Sequence, residues 1–190
     1  HPHLNIAMNI TLIRHIKTTA PEGICYGQTD VALPANYESA HQTIVSQLKH
    51  ERFDAVYSSP LQRCALLAES FNQNVFFDER LMELNFGRWE MQMWIAIEKS
   101  AEAAAYFNDY LNIAPPNGES YNELMVRIDA FLGYATKNHL NQNVLVVTHG
   151  GPIRAFHVLI NGLKPEDAFN LKVDYGQIFR YSLTNQTDTI

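Results

Sequence analysis

The amino-acid sequence predicts an α/β fold in which helices cover both faces of a mostly parallel β-sheet, giving three layers. Short apolar runs alternate along the chain with segments whose apolar residues recur at helical spacing. The run at residues 144–147 is apolar at every position, as expected for a strand buried on both faces. With 190 residues, of which 46% are hydrophobic, the chain can bury one substantial core, so we expect a single domain.

The first half of the chain contains three predicted strands and two predicted helices. The strands lie at residues 10–13, 55–57 and 75–77. Between the first two strands, Ala40, Ile44 and Leu48 recur on one helical face, which can pack on the sheet. The second helix is expected to begin at Pro60 with Ser59 as its N-cap. Its apolar stripe contains Cys64, Leu67, Ala68 and Phe71.

The second half opens with residues 81–117, which are rich in aromatic residues and methionine but follow no clean period. Residues 115–118 read Pro-Pro-Asn-Gly, a strong breaker. Ser120 and Glu123 then have the spacing of a capping box, which predicts the start of a long helix. The buried face of that helix is expected to contain Tyr121, Leu124, Ile128, Phe131, Leu132 and Ala135.

After the strand at residues 144–147, a helix is predicted to start near Pro152. Residues 178–183 alternate between apolar and polar, which indicates a last strand at an edge of the sheet. Residues 1–7 precede Met8, a possible natural start, so we expect them to be disordered or left over from expression. We assign residues 8–190 to the domain.

Composition and charge restrict the possible partners. The net charge of -6 argues against nucleic acid or an anionic membrane as a partner. The apolar run at residues 10–13 is too short for a signal peptide or a membrane span, so we expect a cytoplasmic protein. Cys25 and Cys64 form no CxxC pair, so we expect neither a disulfide nor a thiolate metal site.

Polar residues follow three of the predicted strands. The first strand leads to Arg14 and His15, the second to residues 58–61 with Arg63 one helical turn on, and the later strand to residues 148–151. In open α/β sheets ligands bind at the carboxyl ends of the strands, so two histidines and two arginines can converge there. Arginine holds phosphate through paired hydrogen bonds, and a neutral imidazole can attack phosphorus. The pattern therefore indicates a phosphate-handling site.

Four segments together resemble the histidine phosphatases, also called the phosphoglycerate mutase-like superfamily. Residues 12–15 (Leu-Ile-Arg-His) resemble the nucleophile motif of that family, and residues 58–63 (Ser-Ser-Pro-Leu-Gln-Arg) resemble its second arginine motif. Residues 83–90 (Glu-Leu-Asn-Phe-Gly-Arg-Trp-Glu) resemble its acid motif, and residues 148–151 (Thr-His-Gly-Gly) its second histidine motif. The four occur in the order usual for the family, so the resemblance covers most of the chain and implies a phosphoglycerate mutase-like fold.

The resemblance also implies a small-molecule phosphomonoester as substrate and a metal-independent mechanism without cofactors. His15 would be the nucleophile and become transiently phosphorylated, while Arg14, Arg63 and His149 would hold the equatorial phosphate oxygens. Glu83 would protonate the leaving oxygen and then activate water. From the residues alone, Glu83 can equally pair with Arg80 or Arg88.

Within the family, residues 21–33 resemble the branch of α-ribazole phosphatases, which act in cobalamin biosynthesis. Two positions depart from the family pattern, because Ile16 and Met91 stand where glycine is usual. We expect Ile16 to tighten the floor of the pocket. The expected substrate contacts are Thr18, Tyr26, Gln28, Thr29 and Gly150.

Several alternatives remain open at this point. A broad-specificity phosphatase for sugar phosphates or nucleotides fits the same residues, and a phosphoglycerate-type mutase or a non-catalytic module for phospho-ligands fits them less well. Tyr26 or Trp89 can offer a stacking face to an aromatic substrate. Seven candidates for an aromatic and methionine cradle, Trp89 among them, are expected to be mostly core, with one or two facing a cleft. They are Trp89, Met91, Met93, Trp94, Tyr106, Phe107 and Tyr110.

Overall fold

A computed structural model describes residues 6–184 and has a five-stranded sheet at its centre. The strands are β1 (Ile6–Arg14), β2 (Ala55–Ser58), β3 (Val75–Phe77), β4 (Gln142–Thr148) and β5 (Ile178–Thr184). Their order across the sheet is β3-β2-β4-β1-β5. All neighbouring pairs are parallel except β1 and β5, so the last strand is an antiparallel edge strand. The predicted α/β fold with a mostly parallel sheet is confirmed.

Helices lie on both faces of this sheet. They are α1 (Tyr37–Gln47), α2 (Gln62–Glu69), α3 (Trp94–Ile97), α4 (Ala103–Asn108), α5 (Tyr121–Asn138) and α6 (Gly150–Asn161). On one face, Ile44 of α1 and Leu67 of α2 pack with Ile13, Val56 and Leu145. On the opposite face, the buried stripes of α5 and α6 pack against alternate residues of the same strands. The predicted three-layer arrangement is therefore confirmed.

Strand β1 begins earlier than the predicted strand at residues 10–13. Strand β1 starts at Ile6, two residues before Met8, because Ile6 pairs with Thr184 of β5. Ala7 is buried, and its carbonyl accepts a hydrogen bond from the backbone N–H of Asn141. Residues 1–5 and 185–190 lie outside the described part of the chain.

Three helix details differ from the prediction. In α1 the buried face contains His41 and Ile44, while Ala40 is exposed. Helix α2 begins at Gln62 because the chain is still extended at Leu61, whose ψ is 137°. The hydroxyl of Ser59 still accepts a hydrogen bond, from the N–H of Leu61 at 3.3 Å. At the other end of the chain, α6 begins at Gly150 rather than near Pro152.

The predicted capping box of α5 is confirmed. The Glu123 N–H donates to the Ser120 hydroxyl at 3.2 Å, and the Ser120 N–H donates to the Glu123 carboxylate at 3.1 Å. These two bonds satisfy N–H groups that the first helical turn leaves without a partner. They fix the point at which the chain enters the helix.

Residues 81–117 form short pieces, which explains why no period is visible there. The segment contains α3, α4 and the 3₁₀ turn Gly87–Trp89. It is tied to the N-terminal part of the chain by backbone hydrogen bonds between Cys25 and residues 91 and 92. Cys25, Trp89, Ile97 and Tyr106 form a separate small core beneath it. No helix within residues 6–184 is both long enough and apolar enough to cross a membrane.

Candidate active site

Strand register brings the two histidine segments together. Arg14 at the end of β1 is paired with Thr148 at the end of β4, so the next residues, His15 and His149, emerge side by side. The His15 N–H donates to the Thr148 carbonyl at 3.2 Å, and the two imidazole rings lie 5.1 Å apart between centroids. Ser59 follows β2 on the other side of β4. The convergence predicted at the carboxyl ends of the strands is present.

The His15 ring is oriented by the backbone of the next residue. Its Nδ1 lies 2.7 Å from the carbonyl oxygen of Ile16, an acceptor, so Nδ1 carries the proton and Nε2 keeps its lone pair. Burial, followed by the positive charge of Arg63, lowers the pKa of His15 to about 3. The Ile16 hydrogen bond acts in the opposite direction, and the charge of Arg14 adds a smaller lowering effect. The imidazole is therefore neutral at physiological pH, the state in which Nε2 can attack an electrophile.

Arg63 is fully buried and held on several sides. Its Nε donates to Nδ1 of His149 at 3.3 Å, and Nη1 donates to the Thr29 carbonyl at 2.7 Å. Nη2 donates to the Gly27 carbonyl. A guanidinium has five N–H hydrogens, so these three bonds leave two for a ligand. Arg63 also lines a cavity whose wall contains His15 and Glu83.

His149 packs behind Arg63 and does not line the cavity. It is 0% exposed, and its Nε2 is 2.8 Å from the Ser59 hydroxyl. Since its Nδ1 accepts from Arg63, the proton is on Nε2 and is donated to Ser59. Burial, followed by the charge of Arg63, lowers the pKa of His149 well below its usual value. The expected direct contact of His149 with phosphate does not follow from this arrangement, because both ring nitrogens already have protein partners.

Two further cations, Arg14 and Arg154, flank Gly150. A Cβ added at Gly150 would lie 3.1 Å from Nη1 of Arg154 and 3.5 Å from Cζ of Arg14. Arg14 donates from Nη1 to the Val173 carbonyl at 2.7 Å and stacks on Tyr175 at 4.0 Å, while its buried Nε has no partner among the described residues. Burial, followed by the nearby charge of Arg14, lowers the pKa of Arg154. The region between Arg14 and Arg154 is therefore suited to binding an anion.

The Glu83 carboxylate is held by backbone amides. One oxygen accepts from the N–H of Leu84 at 2.7 Å, and the other accepts from the N–H of Gly151 at 3.2 Å. Arg80 pairs instead with Asp78, and Arg88 is exposed, so neither alternative partner neutralises Glu83. The carboxylate lies so close to Gly151 that a Cβ there would be 2.2 Å from Oε1. Glu83 therefore lines the cavity without an arginine partner among the described residues.

Of the five expected substrate contacts, the cavity wall contains Tyr26. The Thr18 hydroxyl donates to Tyr26 at 3.1 Å, and Gln28 donates from its side chain to the Glu83 carbonyl at 3.1 Å. Thr29 donates its hydroxyl to Glu90 at 2.6 Å. Gly150 contributes by leaving space between the two arginines. These four residues lie outside the cavity wall, and the side chains of Thr18, Gln28 and Thr29 are hydrogen-bonded to the protein.

A cavity of about 520 Å³ opens above His15. Aromatic side chains form most of its wall, which the sequence pattern underestimated, because four of the seven cradle candidates line it instead of one or two. Trp89 is buried in the small core against Tyr106, so it offers no stacking face. The aromatic residues that line the cavity are Tyr26, Phe86, Trp94, Tyr106, Phe107, Tyr110, Tyr121, Phe169 and Tyr175.

Tyr175 and Phe169 were not found by sequence reasoning. Both belong to the connection between α6 and β5, and the N–H of the following Gly176 donates to the carbonyls of Arg14 and His15 at 3.0 and 3.1 Å. The Tyr175 ring thereby comes within 5.8 Å of the His15 ring. The only usable signal in the sequence was Gly176, two residues before the predicted edge strand.

The two departures from the family pattern have different consequences. The side chain of Ile16 packs against the core beneath α1 and is absent from the cavity wall, so the expected tightening of the pocket floor is wrong. Met91 adopts φ 66°, a left-handed conformation that glycine adopts without strain. The preference for glycine at that position has a backbone cause.

The fold and the site define a class of protein, the α/β enzymes that handle phosphate esters. Arginine forks can bind an anion, a neutral imidazole has the lone pair that a nucleophile needs, and a carboxylate can carry a proton. Within residues 6–184 there is no group of three or more His, Cys, Asp or Glu side chains placed to hold a metal ion.

Comparison with known proteins identifies the family. Residues 10–190 match the Histidine phosphatase superfamily (branch 1), so the chain belongs to this superfamily and is a phosphatase. It is 30% identical over 176 residues to the adenosylcobalamin/alpha-ribazole phosphatase of Escherichia coli, covering 89% of this chain and 87% of that protein. It is 34% identical over 161 residues to a metal-independent phosphoserine phosphatase of Arabidopsis thaliana, covering 80% and 68%. The alpha-ribazole phosphatase structure from Shigella flexneri superimposes with a TM-score of 0.83 at 27% identity, covering 94% of this chain and 95% of that one.

Proposed function

We propose that the chain hydrolyses a phosphomonoester through a phosphohistidine formed on Nε2 of His15, without a metal ion. The observation that carries this proposal is the 2.7 Å hydrogen bond between Nδ1 of His15 and the Ile16 carbonyl, which leaves the Nε2 lone pair free. The depressed pKa keeps that lone pair unprotonated at neutral pH. A histidine that served only the scaffold would not need a free nitrogen beside a cavity.

The reaction has two steps. In the first, Nε2 of His15 forms a bond to phosphorus while the ester P–O bond breaks, and protonated Glu83 gives its proton to the leaving alcohol oxygen. In the second, Glu83 takes a proton from water as the water oxygen attacks phosphorus. The P–N bond breaks, and inorganic phosphate and neutral His15 result.

The arginines stabilise the charge that spreads over the equatorial oxygens. Arg63 has two N–H hydrogens free, and Arg14 has an unpartnered Nε, so both can donate to the phosphoryl group. His149 accepts the hydrogen bond that the Nε of Arg63 donates, and this hydrogen bond orients the guanidinium. This role replaces the direct contact with phosphate oxygen expected from the family resemblance.

For the substrate we propose α-ribazole 5'-phosphate. The cavity is large enough for a nucleotide-sized ester, and its aromatic wall can stack on a fused aromatic base. Binding energy from a base held away from phosphorus can position the ester for attack. The relatives in Escherichia coli and Shigella flexneri, both bearing alpha-ribazole phosphatase names, support this choice.

Phosphoserine is the second candidate, and Arg154 is the observation that favours it. The Arg154 guanidinium lines the cavity, and no carboxylate between residues 6 and 184 forms an ion pair with it. A substrate carboxylate could therefore bind there. The relative from Arabidopsis thaliana bears the name phosphoserine phosphatase.

The test is phosphate release from a panel of esters with and without EDTA. We expect α-ribazole 5'-phosphate to give a higher kcat/KM than phosphoserine, sugar phosphates and 3-phosphoglycerate, with rates unchanged by EDTA. Phe107→Ala removes part of the aromatic wall and should lower kcat/KM for the ribazole ester but leave phosphoserine nearly unaffected. The control is Val126→Ala on α5, because Val126 is exposed and absent from the cavity wall. Equal kcat/KM across the panel would overturn the substrate, and a strict requirement for a divalent metal would overturn the mechanism.

A further inference from the structure

The loop formed by Gly27, Gln28 and Thr29 lies between Arg63 and a second carboxylate, that of Glu90. On one side, the Gly27 and Thr29 carbonyls accept from the two terminal nitrogens of Arg63. On the other side, the N–H groups of the loop point to Glu90. The loop therefore connects a cavity-lining arginine to a carboxylate that is absent from the cavity wall.

Glu90 makes a dense set of hydrogen bonds to this loop. One carboxylate oxygen accepts from the N–H of Gly27 at 2.9 Å, and from the N–H and hydroxyl of Thr29 at 3.0 and 2.6 Å. The other accepts from the N–H of Phe86 at 2.9 Å and of Gln28 at 3.4 Å. A carboxylate with this many donors fixes the loop far more tightly than a backbone turn alone.

The charge state of Glu90 agrees with this role. Burial alone raises the pKa of a carboxyl, but the Thr29 hydroxyl and the backbone N–H groups of Gly27, Thr29 and Phe86 outweigh it, and the pKa of Glu90 is lowered. The side chain is therefore ionised at neutral pH, when it can accept all of these bonds.

The loop also packs tightly against the segment that contains Glu83. A Cβ at Gly27 would lie 1.8 Å from the Leu84 carbonyl oxygen, so the loop backbone is in close contact with the chain that follows Glu83. The side chain of Gln28 also donates to the Glu83 carbonyl at 3.1 Å. Because Arg63 donates to the Gly27 and Thr29 carbonyls, a shift of the loop would change the position of Arg63.

We infer that Glu90 is a positioning residue that holds the Arg63 guanidinium in its phosphate-binding orientation through the Gly27–Thr29 carbonyls. This inference rests on the proposed role of Arg63 in binding phosphate. Glu90 is absent from the cavity wall, and its hydrogen bonds go to Phe86 and the loop, so it acts on Arg63 through the loop. Its loss should therefore reduce phosphate affinity and turnover together, for every ester alike.

Vanadate, which resembles the transferring phosphoryl group, provides the probe, and calorimetry gives its dissociation constant without requiring turnover. In Glu90→Gln the amide NH₂ faces N–H donors, so the loop should move and the vanadate constant should rise by about 10- to 100-fold. Thr29→Val removes the 2.6 Å hydrogen bond to Glu90 and should raise the vanadate dissociation constant by about 3- to 10-fold. Thr29→Ser keeps the hydroxyl and should give the dissociation constant of the parent protein.

Asp78→Asn is the matched control for lost stability. Asp78 accepts from the backbone N–H and guanidinium of Arg80 and does not contact the Gly27–Thr29 loop, so its loss should lower Tm without changing vanadate affinity. If Glu90→Gln lowers Tm like this control while its vanadate constant stays within about twofold of the parent, the positioning role is wrong.

A double-mutant cycle with Arg63→Lys separates this inference from the proposed function. Lysine cannot bridge the two loop carbonyls and His149, so Glu90→Gln should add little further loss of vanadate affinity in the Arg63→Lys background. Additive losses would overturn the inference alone, because Glu90 would then act independently of Arg63. An unchanged vanadate constant in Arg63→Lys itself would overturn the phosphate-binding role of Arg63 and both proposals with it.

Discussion

The imidazole rings of His15 and His149 meet edge to face, with centroids 5.1 Å apart and ring planes inclined at 65°. Both side chains are buried, at 2% and 0% exposure, and each lies near the cationic Arg63. Two histidines in these surroundings remain neutral, because a proton on either would be desolvated and repelled by the arginine. The pair therefore combines the proposed nucleophile, His15, with a pH-dependent contribution to stability.

We expect the free energy of unfolding to fall as pH is lowered from about 7.5 to 5. The unfolded histidines take up protons near pH 6.5, whereas the folded ones stay neutral to much lower pH, so the unfolded state binds more protons. Their contribution is complete above the unfolded pKa and is lost below it, by up to about 1.4 kcal/mol per pH unit for each histidine. Guanidinium unfolding at several pH values measures the slope.

His149→Gln should reduce this slope by about one proton. His50→Gln is the control, because His50 is exposed on the surface. An unchanged slope in the His149 variant would mean that its imidazole takes up a proton in the folded protein.

A second prediction concerns the covalent intermediate. Acid-labile, alkali-stable phosphate should be found on His15 when the enzyme is denatured during turnover, and His15→Ala should remove both label and activity. Peptide mapping of the labelled protein identifies the residue. Label on His149 instead would reverse the assignment, and full activity in His15→Ala would rule out the covalent route.

For Glu83, the prediction depends on the leaving group. Glu83→Gln should slow hydrolysis of alkyl phosphates by about 10²- to 10⁴-fold but slow aryl phosphates much less, because a good leaving group needs no proton. Gly151→Ala should have the same selectivity, since its Cβ would displace the carboxylate that now lies 2.2 Å from that point. Rates across a series of leaving-group pKa values measure both variants. Equal losses along the series would contradict the acid role.

Met91 provides a prediction about stability alone. Its φ of 66° strains a side-chain-bearing residue, and the side chain is 45% exposed, so glycine would relieve the strain at little loss of burial. Met91→Gly should raise the free energy of unfolding by about 1 kcal/mol, while Met91→Ala should give less than half of that gain. Thermal unfolding compares the two. A lower Tm for the glycine variant would show that the methionine side chain packs usefully.

The sequence by itself determined the fold class, the strands and the two histidine segments. These features are local or periodic: the apolar run at residues 144–147 predicts a buried strand, and the spacing of Ser120 and Glu123 predicts a helix start, without knowledge of any distant residue. The family was also accessible, because its four motifs keep their order along the chain. Helix starts were less accurate, since Pro60 and Pro152 are compatible with more than one first turn.

Only the tertiary structure decided what each polar side chain does. The strand order placed β4 between β1 and β2, and the register of Arg14 with Thr148 then turned His149 toward Ser59 and Arg63, away from the cavity. Thr29, expected at the substrate, was drawn to Glu90, which is 61 residues away along the chain. Tyr175 lies beside His15 because the N–H of the next residue, Gly176, donates to the Arg14 and His15 carbonyls. Such long-range pairings depend on the simultaneous packing of all layers, and residue spacing along one segment carries no information about them.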